Sequence, residues 1–138
     1  MKKNIILLTT LVILLFLIAG CSNAGSTNTK VASQPNKISL QNELQNYFSG
    51  ESMSQLVDKY EFQQDGSDPR GTVKIWVKTE IFYMFNSQQQ KDLVSSIGNA
   101  INVACARNDF SNGCGTEFYS EANRLIAEHT IWGNIKIY

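Results

Sequence analysis

The chain has 138 residues with 12 Lys or Arg and 12 Asp or Glu, so its formal net charge is zero. Residues 21–138 lack Lys2 and Lys3, which leaves 12 − 2 = 10 basic against 12 acidic side chains and a net charge of −2. Because nucleic acids and anionic bilayer surfaces call for clustered Lys and Arg, neither is predicted as an electrostatic partner.

The first 20 residues have the pattern of an export signal. Lys2 and Lys3 precede residues 5–18, which are apolar except for Thr9 and Thr10, and small residues follow. A basic start, an apolar run and a small-residue cleavage site are the three parts of such a signal. A transmembrane helix is the alternative, but it needs roughly 20 apolar residues and this run is shorter.

A cysteine stands at the cleavage site. The stretch "LIAGC", Leu17–Cys21, resembles the lipobox of bacterial lipoproteins, in which an apolar residue and two small ones precede an obligatory cysteine. The resemblance covers only the first 21 or so residues. It implies cleavage after Gly20 and a diacylglycerol on the sulfur of Cys21, which would make the membrane a partner through the lipid. Ordinary secretory cleavage beside a coincidental cysteine is the alternative.

The position after the cysteine bears on location. In the resembled family an Asp there tends to retain the protein at the inner membrane, so Ser22 implies the periplasmic face of the outer membrane. The outer face of the cytoplasmic membrane is the alternative. The segment 22–37 is rich in Ser, Asn, Thr and Gly, which predicts a flexible tether with a mean reach of about 20–25 Å. We therefore predict a signal peptide over 1–20, a lipidated Cys21 with its tether over 21–38, and one domain over 39–138.

The start of this domain is predicted to be helical. One helix face is formed by Leu40, Leu44, Tyr47 and Phe48. Gly50 is expected to end this helix. Ser52 and Gln55 match a capping box, so we expect either a second short helix or a single helix that is kinked near Gly50. The apolar residues behind that box are Met53, Leu56, Val57 and Tyr60.

The middle of the chain combines a strand with a long helix. Val73, Ile75 and Val77 alternate with polar or aromatic residues, so we expect a strand, with residues 59–64 pairing with 72–78 as a hairpin. The stretch 79–86, "TEIFYMFN", predicts a second strand or a buried bend. A second S-x-x-Q box, at Ser87, predicts the start of a helix over 88–106. Gly98 within this helix would let another backbone approach it closely.

The C-terminal part is predicted to be a β-meander, with strands near 116–120, 124–130 and 131–138. The fold class that follows is α+β, with short N-terminal helices and one long helix packed on a small antiparallel sheet. Ile135 and Ile137 should share one face of the sheet, and Lys136 and Tyr138 the other.

No catalytic constellation stands out. His129 is the one histidine and lies in a predicted strand without a flanking motif, so we interpret it as an ordinary strand residue. Eight residues separate Cys105 from Cys114, and the pair lacks the second ligand pair that zinc favours. No catalytic residue, metal or cofactor is predicted.

Aromatic residues suggest a partner-binding surface. Trp76, Lys78, Trp132 and Tyr138 fall opposite the apolar strand positions, where an envelope protein or a glycan would be the partner. The alternative is that these residues form a second small core or are covered by the N-terminal helices. The predicted function is a non-enzymatic binding or assembly module, and the alternative is a small hydrolase that acts on an envelope polymer through a carboxylate pair.

The two remaining cysteines predict a disulfide. Export would place the domain where disulfides persist, and lipidation of Cys21 would leave Cys105 and Cys114 as a single pair. Their bridge would join the end of the long helix to the start of the next strand.

Overall fold

The structure is a computed structural model that describes residues 35–64 and 70–138. The predicted signal peptide, Cys21 and nearly all of the predicted tether lie outside the described residues. No helix in the described part of the chain combines the length and the apolar character needed to cross a bilayer.

Helices pack on a five-stranded mixed sheet, which confirms the α+β class. The strands follow one another across the sheet in the order β1-β2-β3-β4-β5. The elements are α1 Lys37–Phe48, α2 Glu51–Leu56, β1 Val57–Gln63, β2 Gly71–Val77, α3 Thr79–Phe82, α4 Ser87–Arg107, β3 Cys114–Tyr119, β4 Leu125–His129 and β5 Ile135–Ile137.

One strand pair differs from the antiparallel sheet that the sequence predicts. β2 and β3 are parallel, with Gly71 opposite Cys114 and Trp76 opposite Tyr119, whereas the other neighbouring strands are antiparallel. Between them α4 runs for 21 residues, about 30 Å, back along the sheet. This long crossover returns the chain to the end where β2 began, as a parallel neighbour requires.

The N-terminal segment forms two short helices, which is one of the two predicted arrangements. In α1, the side chain of Asn36 caps the helix by accepting the N–H of Ser39 at 3.0 Å. The second helix begins after Gly50 and has no side-chain cap, so the predicted Ser52 box does not form. Its chain passes directly into β1 at Val57, and the predicted hairpin of β1 with β2 is confirmed.

The long helix is present, and its cap lies one residue earlier than predicted. Asn86 and Gln89 form the capping box, while the side chain of Gln90 is buried and donates to the carbonyls of Phe82 and Phe85. The stretch 79–86 forms α3 and a turn rather than a strand. Gln90 therefore closes this turn instead of capping α4.

The sheet has two different faces. The face toward the helices holds fully buried side chains, among them Val73, Ile75, Phe118 and Ala127. As predicted, Lys136 and Tyr138 share one face and Ile135 and Ile137 the other; the first pair is exposed and the second half-buried. The helices and this face form the core of the described part of the chain.

A disulfide joins α4 to β3. The sulfurs of Cys105 and Cys114 are 2.05 Å apart and their Cα atoms 6.2 Å apart, as predicted for a structural bridge. Both residues are fully buried. The bridge holds the last turns of α4 against the first residue of β3.

Candidate binding face of the sheet

We call the sheet face turned away from α4 the open face. Strand alternation assigns residues to it, and most of their side chains are half-buried or exposed, in contrast to the helix-covered face. They are Lys59, Glu61, Gln63, Thr72, Lys74, Trp76, Gly115, Glu117, Tyr119, Glu128, Lys136 and Tyr138.

A row of charges crosses the open face. The strand register places one charged residue on each strand, in the order Glu61, Lys74, Glu117, Glu128 and Lys136. The signs alternate except at the centre, where Glu117 stands directly opposite Glu128. Like charges in such a cross-strand position are destabilising unless other groups compensate.

Two tyrosine hydroxyls compensate this central pair. The hydroxyl of Tyr119 donates to Glu117 Oε2 at 2.7 Å, and that of Tyr138 donates to Glu128 Oε2 at 2.6 Å. The bond to Glu117, together with burial, raises the pKa of Tyr119 to about 12. Both tyrosines therefore remain donors at neutral pH, and each carboxylate accepts from one of them, while Glu128 also lies 3.7 Å from Lys136 Nζ.

An aromatic cluster fixes the position of Tyr119. Trp76 stacks on it with ring centroids 5.4 Å apart, and Lys59 Nζ lies 4.0 Å from the Trp76 ring centre. The indole N–H of Trp76 donates to Asn123 Oδ1 at 2.6 Å. Trp76 is only 7% exposed, so it supports the open face from within rather than offering a free ring.

Beside this cluster, the open face contains a cleft of about 600 Å³. Apart from its chain neighbours, no described residue has an atom within 4 Å of the position that a Cβ would take on Gly115, so this glycine adds no side chain to the base of the cleft. Polar side chains surround it, including Gln63, Thr72, Glu117, Glu128, Thr130 and Lys136. Hydroxyl, amide, carboxylate and ammonium groups together suit a ligand rich in hydrogen-bonding groups.

The predicted aromatic surface is not one continuous patch. Trp76 and Tyr138 are on the open face, but Lys78 follows the end of β2 and its ammonium donates to the carbonyl of Ser54 at 3.3 Å. Trp132 lies at the opposite end of the sheet, in the turn between β4 and β5.

Sequence reasoning missed Glu117 and Tyr119 as members of the face. The available signal was the alternation of β3, in which Thr116 and Phe118 are buried and Glu117 and Tyr119 point to the opposite face. Their contacts with Trp76 follow from the parallel pairing of β2 with β3, which the alternation does not specify.

The ring of His129 lies on the helix-covered side of the sheet, although the residue also borders the cleft. His129 is 1% exposed and lies against Gly98 of α4, so its ring faces the helices. Burial lowers its pKa. In residues 35–64 and 70–138, no three His, Cys, Asp or Glu side chains come together as metal ligands.

No protein family, curated protein or solved structure matches this chain. Its function is therefore inferred from the face itself. The arrangement of the face is a polar cleft beside an ordered aromatic and carboxylate cluster.

Proposed function

We propose that the chain is a bacterial lipoprotein that is anchored through a lipid on Cys21 and binds an envelope protein or glycan without catalysis. The lipobox-like stretch Leu17–Cys21 and the following Ser22 support the anchor and a location at the periplasmic face of the outer membrane. On this proposal, the segment that follows Cys21 tethers the domain to the lipid. The open face supports the binding role.

The cleft above Gly115 is the observation that carries the binding proposal. Within residues 35–64 and 70–138, no atom beyond its chain neighbours crowds the Cβ position of that glycine. Glu117 is already held by the hydroxyl of Tyr119 and Glu128 by that of Tyr138. Groups that are ordered before binding lose less conformational entropy on binding, so their hydrogen bonds contribute more to affinity.

The partner is expected to contact the face rather than extend the sheet. β1 is the long edge strand, and its pairing with β2 is irregular between Val57 and Lys59. It carries Asp58, Lys59 and Glu61 as exposed charges. Irregular pairing and charged side chains both disfavour the addition of another strand.

Filling the cleft tests the binding proposal. Gly115→Trp places its side chain on the open face, where described residues leave the Cβ position uncrowded, and should abolish crosslinking to the partner in the native envelope. Ala106→Trp, on the exposed side of α4, is the matched control and should leave the crosslinks intact. Equal crosslinking by both variants would contradict binding in the cleft.

Removing the lipidated cysteine tests the anchor. Cys21→Ala should move the protein from the membrane fraction to the soluble fraction, because two or more acyl chains supply the stable attachment. Mass spectrometry of the wild-type N-terminal peptide should show the lipid on Cys21. A variant that stays in the membrane fraction would contradict this attachment.

A second candidate function follows from the pair Glu117 and Glu128. Side chains directly opposite each other across strands have Cβ atoms about 4.5–5.5 Å apart, which approaches the carboxyl separation in retaining glycosidases. Acid and nucleophile need different environments, whereas each of these accepts from a tyrosine. Release of sugar fragments from envelope polysaccharide by wild type but not by Glu117→Gln or Glu128→Gln would favour this hydrolase.

A further inference from the structure

The turn between β4 and β5 presents Trp132 to solvent. The indole is 83% exposed, more than any other large hydrophobic side chain in the described ranges. The backbone around it is ordered, since Thr130 N–H donates to Asn134 O and Gly133 N–H to Thr130 O, both at 2.9 Å. Gly133 has a φ of +79°, which favours glycine. Trp132 therefore projects from a defined turn.

This turn lies at the end of the domain where the chain enters it. The N–H of Asn36, just before α1, donates to the carbonyl of Asn108 at 2.9 Å, at the end of α4. A Cβ placed on Gly113 would lie 3.6 Å from Ile131 Cβ, so the turn packs beside the start of β3. We call this part of the domain, from Asn36 and Asn108 to the β4–β5 turn, the entry end.

A second large apolar side chain is exposed at the entry end. Ile38, in the first turn of α1, is 73% exposed. Two basic side chains there have partners, since Arg107 pairs with Glu43 at 3.0 Å and Lys37 Nζ lies 5.9 Å from the Phe62 ring centre. By contrast, the exposed Tyr83 and Met84 follow α3 at the other end of β2.

We propose that the entry end rests on the lipid bilayer, with Trp132 in the interfacial layer. This inference builds on the proposed lipid anchor. From Cys21 to Asn36 there are 36 − 21 = 15 residues, which span at most about 50–55 Å, so the entry end is the part of the domain tied nearest to the lipid. Tryptophan favours the interface because its ring is apolar and its N–H is polar.

The contact is apolar in origin. Trp132 and Ile38 are the most exposed large hydrophobic side chains described at this end, so burial of apolar surface rather than attraction to anionic headgroups is the expected source. Docking should therefore depend little on anionic lipid content or salt. The alternative is that Trp132 contacts a protein partner, and the experiment distinguishes a protein from the bilayer.

Fluorescence quenching tests the proposal. Full-length protein purified with its lipid is placed in phosphatidylethanolamine and phosphatidylglycerol vesicles, with or without bromine on acyl carbons near the headgroups. Bromine should lower the emission of wild type. The emission of Trp132→Phe comes from Trp76 alone and should not change. Met84→Ser alters the opposite end and should retain the quenching. High salt should not abolish it.

The outcomes separate the docking from the anchor. If wild type floats with the vesicles but bromine leaves its emission unchanged, the docking is wrong and the anchor stands. Failure of wild type to float overturns both. A photo-crosslinker at position 132 that captures a protein in native envelopes, without quenching in protein-free vesicles, would replace the bilayer with a protein partner.

Discussion

His129 is a buried base whose neighbours offer it no charge. Thr116 and Ile135 stand opposite it on β3 and β5, Gly98 faces it from α4, and none of these side chains ionises. Its Nδ1 and the Thr116 hydroxyl oxygen have no hydrogen-bond partner among the described residues. Because burial disfavours the imidazolium, the pKa of His129 is lowered in the folded state.

This lowered pKa predicts a loss of stability in mild acid. Below the ordinary histidine value of about 6.5 the unfolded chain binds a proton that the folded one does not, so the free energy of unfolding falls as pH falls through that value. Above it the contribution of His129 is constant. Free energies of unfolding measured with urea between about pH 5 and 8 should fall toward low pH in wild type. They should depend less on pH in His129→Leu. Parallel profiles would contradict the assignment.

Gly98 and His129 are coupled by their contact. A Cβ on Gly98 would lie 2.2 Å from His129 Cγ, so Gly98→Ala should destabilise by about 1–3 kcal/mol despite the better helix propensity of Ala. In a His129→Ala background the same change should be neutral or stabilising. The coupling is measured by a double-mutant cycle of unfolding free energies, with Gly115→Ala as an uncrowded control. A coupling energy near zero would show that α4 shifts away from His129 without cost.

The bridge between α4 and β3 acts at the scale of elements. Its cysteines are nine positions apart, for which loop entropy gives about 2–3 kcal/mol of stabilisation. Replacing both cysteines by Ala should lower the free energy of unfolding by about that amount. Reductant should destabilise wild type similarly and leave the double variant unchanged. Two reactive thiols at Cys105 and Cys114 in native, unreduced protein would contradict the bridge.

Local spacing predicted the elements better than their boundaries. The helical period of α1 and α4 and the alternation of β2 identified these elements, because each buries one face. The cap of α4 was misplaced by one residue because Asn86 with Gln89 and Ser87 with Gln90 both match a box. Burial of Gln90 beneath α3 decides between them, and that contact is tertiary.

At the scale of the whole molecule, the candidate site depends on non-local pairing. Alternation alone predicted that Lys136 and Tyr138 share a face. The stacking of Trp76 on Tyr119 also requires the chain to return after α4 and place β3 beside β2, which alternation does not predict. The same topology places the entry end at one end of the strands. With that end at a membrane, the strands would rise from the bilayer and the open face would remain accessible to an envelope partner.

The parallel pair β2–β3 joins the β1–β2 hairpin to the C-terminal meander. Trp76 reports on this junction because it stacks on Tyr119 across it. Fully buried residues on both sides, Val73 and Phe118, belong to the same helix-covered face, so the two parts should unfold together. In Trp132→Phe, urea midpoints from Trp76 fluorescence and far-ultraviolet circular dichroism should coincide. A lower fluorescence midpoint would show that the hairpin separates first and the sheet is not one cooperative unit.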